Sequence, residues 1–167
     1  MNSKFYKKVQ IMKSIQDWDK VRQEFTDCQK SNRGVVFFAT ADEAGTPNIT
    51  PIGSLFLGED CSGVFCNHFP VTLNRNIEEN NRVCVIALNN SNGTWLKALF
   101  KGRFSKCPGI KLYGRISPKR ELTPKEQSRW QQVIRPMRFF KGYDLIWKDI
   151  RQGSDIVFDA FEYLKLG

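Results

Sequence analysis

Apolar residues recur three or four apart over residues 14–31, at Ile15, Trp18, Val21, Phe25 and Cys28, the spacing that gathers side chains on one face of a helix. Ser14 with Asp17 offers a cap at its start, and Asn32 and Gly34 stop it. Such a stripe has to be buried, so it predicts core packing. Residues 35–40 (VVFFAT) switch to a continuous apolar run rich in β-branched and aromatic side chains, which reads as a strand, and Asp42, Glu43, Ala44 and Gly45 turn the chain back. Pro47 opens a second strand over 48–57, and Gly58, Glu59 and Asp60 with Gly63 lead into a third at 64–67. These three are expected to lie side by side as a meander.

A short helix over 72–81, with Leu73 and Ile77 on one side, is followed by a buried strand over 82–88 (RVCVIAL) and a polar loop at 89–93. Two further strands, 95–104 and 110–116, are joined through Lys106, Cys107, Pro108 and Gly109. Six strands with one short helix among them predict a small antiparallel barrel. Thr123, Pro124, Lys125 and Glu126 spell a capping box with proline at the first helical position, so a helix runs from there toward Ile134 and stops at Pro136. Residues 137–150 are aromatic and basic without a clear period, and 155–166 (DIVFDAFEYLKL) alternate as a last strand. No repeat or linker divides the chain. The expected organisation is one domain over 1–167, with an N-terminal helix at 14–31, a barrel at 35–117, a helical segment at 123–150 and a C-terminal strand at 155–164.

Composition changes this picture little: 167 residues, 41% hydrophobic, with 13 Phe and 4 Trp, suit a single buried core. No apolar run approaches the ~18 residues needed to cross a bilayer, and the first dozen residues, with Lys4, Lys7 and Lys8, lack the apolar centre of an export signal. The five cysteines are odd in number and scattered, with Cys66 and Cys84 inside apolar runs, which suits packed free thiols and a cytoplasmic location. Charge is uneven. Between residues 97 and 151 there are 15 Lys and Arg against four acids, or +11, whereas the whole chain carries +9. A basic stretch suits a phosphorylated cofactor, a nucleic acid or simply solvated faces. The strands lack the aromatic and basic alternation of a nucleic-acid surface, so that reading ranks last.

Three segments at consistent separation carry a family resemblance. FFATADEAGTPNITPIG (37–53) resembles the opening hairpin of the pyridoxamine 5′-phosphate oxidase-like, FMN-binding split barrels; RNIEENNRVCVI (75–86) resembles their helix-to-strand signature; GIKLYGRI (109–116) resembles a later strand. The resemblance spans about residues 35–117 and implies a mainly β fold with flanking helices: a six-stranded antiparallel split β-barrel that forms a homodimer and holds FMN between subunits. It places Thr50, Pro51, Ile52 and Gly53 along the isoalloxazine ring. Asn67 and His68, with Thr72, Asn74, Arg75 and Asn76, are placed toward the ribityl phosphate, where a helix N-terminus offers unpaired N–H groups to an anion. The family often has Ser-Arg-Lys where this chain has Val71, Thr72 and Leu73, so Lys97, Lys101 or Arg82 are candidates to replace the missing charge. Trp95 is a candidate for stacking on the flavin, and Phe139, Phe140, Tyr143 and Trp147 read as interface packing.

His68, the only histidine, is a candidate acid or base without an identified partner, and reads first as a surface or phosphate-contacting imidazole with no proton-transfer role. Cys61, Cys66 and His68 lack a fourth ligand and standard spacing, so no metal is expected. True pyridoxamine-phosphate oxidases end in an Arg-x-His substrate clamp, and this chain has no histidine after His68. The expectation is therefore a cytoplasmic FMN-dependent oxidoreductase of another small molecule, drawing on a nicotinamide or similar donor. The alternative is a flavin- or haem-binding module without turnover.

Overall fold

The computed structural model describes residues 13–67, 70–91, 108–137, 139 and 150–164. Helix α1 (Trp18–Ser31) begins later than the periodicity suggests, because Asp17 and not Ser14 caps it: the Asp17 carboxylate accepts from the Lys20 N–H. Ser14 belongs instead to β1 (Lys13–Ser14), a short pairing with the last strand. The expected stripe is in place, with Trp18, Val21, Phe25 and Cys28 all buried.

The strands β2 (Val36–Ala41), β3 (Pro47–Ile52), β4 (Leu55–Leu57), β5 (Ser62–Cys66), β6 (Arg82–Leu88), β7 (Gly109–Ile116), β8 (Arg120–Glu121) and β9 (Gln152–Tyr163) join one antiparallel sheet. Helix α2 (Val71–Glu79) lies between β5 and β6, and α3 (Pro124–Ile134) runs into a 3-10 turn at Arg135–Met137. The main path through the sheet is β3-β2-β6-β7-β9-β5-β4. The expected single strand over 48–57 is in fact two, and the expected meander is two separate hairpins, β2–β3 and β4–β5. Strands β3 and β4 sit at opposite ends of the path, yet only Gly53 and Ser54 separate them in sequence. A trans peptide advances the chain by about 3.8 Å, so the two edges have to meet and the sheet has to curl. This is the split barrel that the sequence predicts, built from more strands than six. The expected strand at 95–104 and most of the segment 137–150 lie outside the described residues.

Polar groups stitch the two edges where they meet. The Gln29 amide donates to both the Gly34 carbonyl, ahead of β2, and the Leu55 carbonyl in β4, at 3.1 and 3.0 Å. The Ser54 hydroxyl accepts from the Cys66 N–H at 3.1 Å and donates to the Cys66 carbonyl at 3.2 Å. Inside the curl, Val36, Phe38, Phe65, Val85, Ile110, Leu112 and Ile156 pack with the α1 stripe into the main core. A separate, smaller cluster joins Cys66, Leu122, Trp130, Ile134 and Ile150 beneath α3.

The long β9 serves both halves of the barrel, pairing with β7 along one side and with β5 along the other. A register shift at Tyr113/Gly114 gives it the bend it needs. At Gly114 an added Cβ would stand 2.2 Å from the Val157 carbonyl oxygen and 3.1 Å from the Phe158 Cα, both backbone atoms that cannot swing aside. Gly114→Ala is therefore expected to destabilise the fold by about 1–3 kcal/mol, the usual range for overpacking. A lowered urea midpoint with unchanged slope is the expected readout; an unaltered midpoint would contradict this account of the bulge.

Candidate functional site

Successive side chains of a strand point to opposite faces, and the end of β5 uses this to open two recesses. Cys66 lines one and Asn67 the other. The first is a groove of about 520 Å³. One wall is the end of β3 and its link to β4, Thr50 to Ser54. The facing wall is α3, with Trp130, Val133 and Ile134, together with Ile150. Arg33, Gly34 and Val35 close one end, and Pro70, the residue capping α2, reaches it as well. Four of the residues placed on the flavin by the family resemblance, Thr50, Pro51, Ile52 and Gly53, thus share one cavity with Pro70, the residue before α2.

The β3 wall is an edge strand, exposed at Pro47, Ile49 and Pro51. Proline has no N–H, so the same face and edge carry two breaks in the donor row, which keeps another strand from pairing there. Gly53 is exposed, and a Cβ added to it would meet no protein atom within 4 Å. Neither packing nor a positive φ requires glycine at this point. Close approach by something in the groove would.

Helix α2 begins without a side-chain cap among the described residues, and the first N–H groups of a helix have no intrahelical partner. Thr72 and Arg75 are exposed on its outer side, and Arg75 acts on Asp42 across the β2–β3 turn. Asn76 is turned inward: its amide donates to the Thr40 hydroxyl at 3.2 Å, and its carbonyl oxygen is buried without a partner. Leu73 is wholly buried in the main core, so a lysine at this position would place its charge in an apolar interior. The departure from Ser-Arg-Lys therefore has a packing cause at one of its three positions.

Asn67 and Asn74 line the second recess, about 660 Å³, between α2, the 116–119 segment and Ser154. The Asn67 amide donates to the Ser154 hydroxyl at 3.0 Å, leaving its carbonyl oxygen buried without a partner. Glu78 and Glu79 also line this recess, with Lys119 beside them, so it carries charge of both signs. Of the remaining expected residues, His68, Trp95, Lys97 and Lys101 lie outside the described residues, as do Phe140, Tyr143 and Trp147. Phe139 is exposed. No cluster of three potential metal ligands occurs among the described residues.

Sequence reasoning left α3 without a role and did not find Arg33. Arg33 sits in a left-handed backbone conformation (φ 56°) that ends α1, and the only sequence signal was the polar break Asn32-Arg33-Gly34 before an apolar strand. Cys66, on the groove floor, has its thiol pushed up to about 12 by burial, so it stays protonated. Arg120 holds α3 in place. Its guanidinium meets the Glu126 carboxylate at 2.8 and 2.9 Å and the Asp155 carboxylate of β9 at 2.6 Å through two nitrogens, and Glu126 completes the Thr123 capping box.

Residues 21–153 match the family model described as pyridoxamine 5′-phosphate oxidase. The chain belongs to this family. Among solved structures it is similar to an FMN-binding protein from Syntrophomonas wolfei subsp. wolfei, at 14% identity and a TM-score of 0.60, covering 90% of this chain and 93% of that one. It is also similar to HupZ of Group A Streptococcus, at 18% identity and a TM-score of 0.53, covering 87% of this chain and 94% of that one. At these identities the likeness establishes the split-barrel fold. No curated protein matches the sequence significantly. No helix among the described residues is long and apolar enough to cross a membrane.

The Arg120 clamp gives the family groove a pH-dependent wall. Its hydrogen bonds hold the Glu126 carboxyl well below its ordinary 4.5, at about 2. A depressed carboxyl adds stability that is complete above the unfolded value and disappears as pH falls toward the folded one. Amide exchange in α3, corrected for its intrinsic pH dependence, is therefore expected to accelerate between about pH 4.5 and 2. Arg120→Met should show roughly tenfold faster exchange already at neutral pH, with the main-core strands unchanged; equal acceleration in β6 and β7 would mean that the clamp supports the whole fold.

Proposed function

We propose that this protein binds FMN in the groove between β3 and α3 and acts as an oxidoreductase on a small molecule. The observation that carries the reading is that Thr50–Gly53 line one cavity with Pro70, the residue immediately before α2. The vacant space beside Gly53 suits a ring lying close to the backbone. Thr50, Pro51, Ile52 and Gly53 would hold the isoalloxazine, with the first N–H groups of α2 and the Thr72 hydroxyl toward the phosphate. Bound there, FMN supplies hydride or single-electron transfer, and the protein's part is to orient it and exclude water. His68, Trp95, Lys97 and Lys101 stay in this proposal as contacts drawn from the family resemblance. Asn67 and Asn74 line the neighbouring recess, and Asn76 supports Thr40, so these three are proposed to shape the surroundings of the site.

The proposed assembly is a homodimer. Pro47, Ile49 and Pro51 share the outer face of the sheet with Phe37, Ala39 and Ala41 of β2 and, through the register, with Cys84 and Ile86 of β6. Ile49 is 65% exposed, Val71 82% and Val133 45%, so β3, α2 and α3 each present apolar surface to water. Covering it with a second copy would remove this surface from water. Cys61, Cys66 and Cys84 are free thiols, which supports the cytoplasm as the location.

Freshly purified protein is expected to show flavin bands near ~370 and ~450 nm, or to quench added FMN fluorescence, and to run at twice the chain mass. Colourless protein that leaves FMN fluorescence unchanged would end this reading. Reduction of the bound flavin by NADH or NADPH under anaerobic conditions would then support turnover, and its absence with every nicotinamide donor would favour a binding role. Because Thr72 is exposed at the start of α2, Thr72→Arg is expected to raise affinity for FMN about fivefold or more while leaving riboflavin affinity unchanged. Equal gains for both would place the phosphate elsewhere.

A further inference from the structure

The polarity of the groove is one-sided. Among its described lining residues there is no Asp, Glu, Asn, Gln or His. Its polar side chains are donors or already engaged. The Thr50 hydroxyl oxygen accepts from the Asn48 amide, leaving its O–H to donate. Ser54 is occupied with the Cys66 backbone. The Trp130 indole N–H is buried out of reach of the open groove, with no acceptor among the described residues, and the Arg33 guanidinium has no acidic partner among the described residues. The neighbouring recess, by contrast, is lined by Glu78 and Glu79 as well as by Lys119.

The walls also differ in what they can face. If the flavin lies along β3, as proposed above, the α3 wall, made of Trp130, Val133 and Ile134, faces whatever else enters. That wall is aromatic and aliphatic. Its one charge is at the Arg33 end, held on a backbone fixed by the turn in which the Gly34 N–H donates to the Gln29 carbonyl and the Arg33 N–H to the Lys30 carbonyl. A neutral apolar molecule would leave these donors unused, an amine would meet Arg33, and a phosphorylated sugar would strand its hydroxyls against α3.

We propose that the α3 side of the groove binds a planar apolar carboxylate, its ring against Trp130, Val133 and Ile134 and its carboxylate on Arg33, as the second reactant beside the flavin. The placement of the flavin rests on the reading above, whereas binding of the acid is measurable without it. Arg33 is a specificity-determining residue here, because a guanidinium pairs with a carboxylate through two N–H groups.

The test uses the fluorescent acid 1-naphthoate and its neutral counterpart 1-naphthalenemethanol, titrated into full-length protein with and without FMN. The acid is expected to bind about tenfold or more tightly than the alcohol. Arg33→Gln should bring the acid down to the level of the alcohol, and Arg33→Lys should restore part of the difference; Arg33 is exposed, so both variants should melt like the parent. Equal affinity for acid and alcohol, or no effect of Arg33→Gln, would overturn the proposal. Loss of naphthoate binding on FMN loading would overturn it too, giving the whole groove to the flavin. Protein that binds naphthoate through Arg33 yet never binds FMN would instead refute the flavin reading and leave the acid site standing.

Discussion

Two residues between strands at opposite ends of a sheet are the constraint from which the rest of this molecule follows. Because Gly53 and Ser54 alone carry the chain from β3 to β4, a flat sheet is geometrically impossible and the inner faces must close over a common core. The closure is a seam, not a continuous ladder. At the seam, backbone groups that strand pairing would satisfy are met by the Gln29 amide and the Ser54 hydroxyl. A seam also leaves a cleft outside it, which α3 and Pro70, just before α2, border.

The cleft inherits its chemistry from the elements that happen to reach it. Strand β3 contributes an exposed edge interrupted by prolines, the link before α2 contributes Pro70, α1 the cation that follows its last turn, and α3 an apolar side. The turn of one residue at the end of β5, from Cys66 to Asn67, then divides space between a largely apolar groove without a described acid and a recess lined by Glu78, Glu79 and Lys119. On the outer face, Tyr113 donates to the Glu162 carboxylate at 2.9 Å with Lys111 at 3.5 Å. That network keeps a buried acid paired where the sheet turns away from its core.

Local features were legible in the sequence because they depend on neighbours a few residues away. The α1 stripe, the bounds of β6 and the Thr123–Glu126 capping box are of this kind. The break at Gly53–Ser54 was not, since Ile52 and Leu55 flank it with apolar side chains and an uninterrupted strand reads the same. Nor was the inward turn of Asn76, a polar residue on a helix face that otherwise buries Leu73 and Ile77; its reason is Thr40, thirty-six positions away. The groove itself gathers residues from the Arg33, Thr50, Trp130 and Ile150 neighbourhoods. Only the family resemblance carried Thr50–Gly53 to the site from sequence, and it had nothing to say of α3.

The small cluster under α3 is built apart from the main core, and the residues facing the groove from that side are drawn from it or from its rim. A change at the exposed Val133 therefore reshapes the groove wall without entering the main core that closes the barrel. A lineage carrying this fold can exchange one ligand for another through a few substitutions in a single helix. Selection for a new substrate and selection for a folded chain then act on different residues.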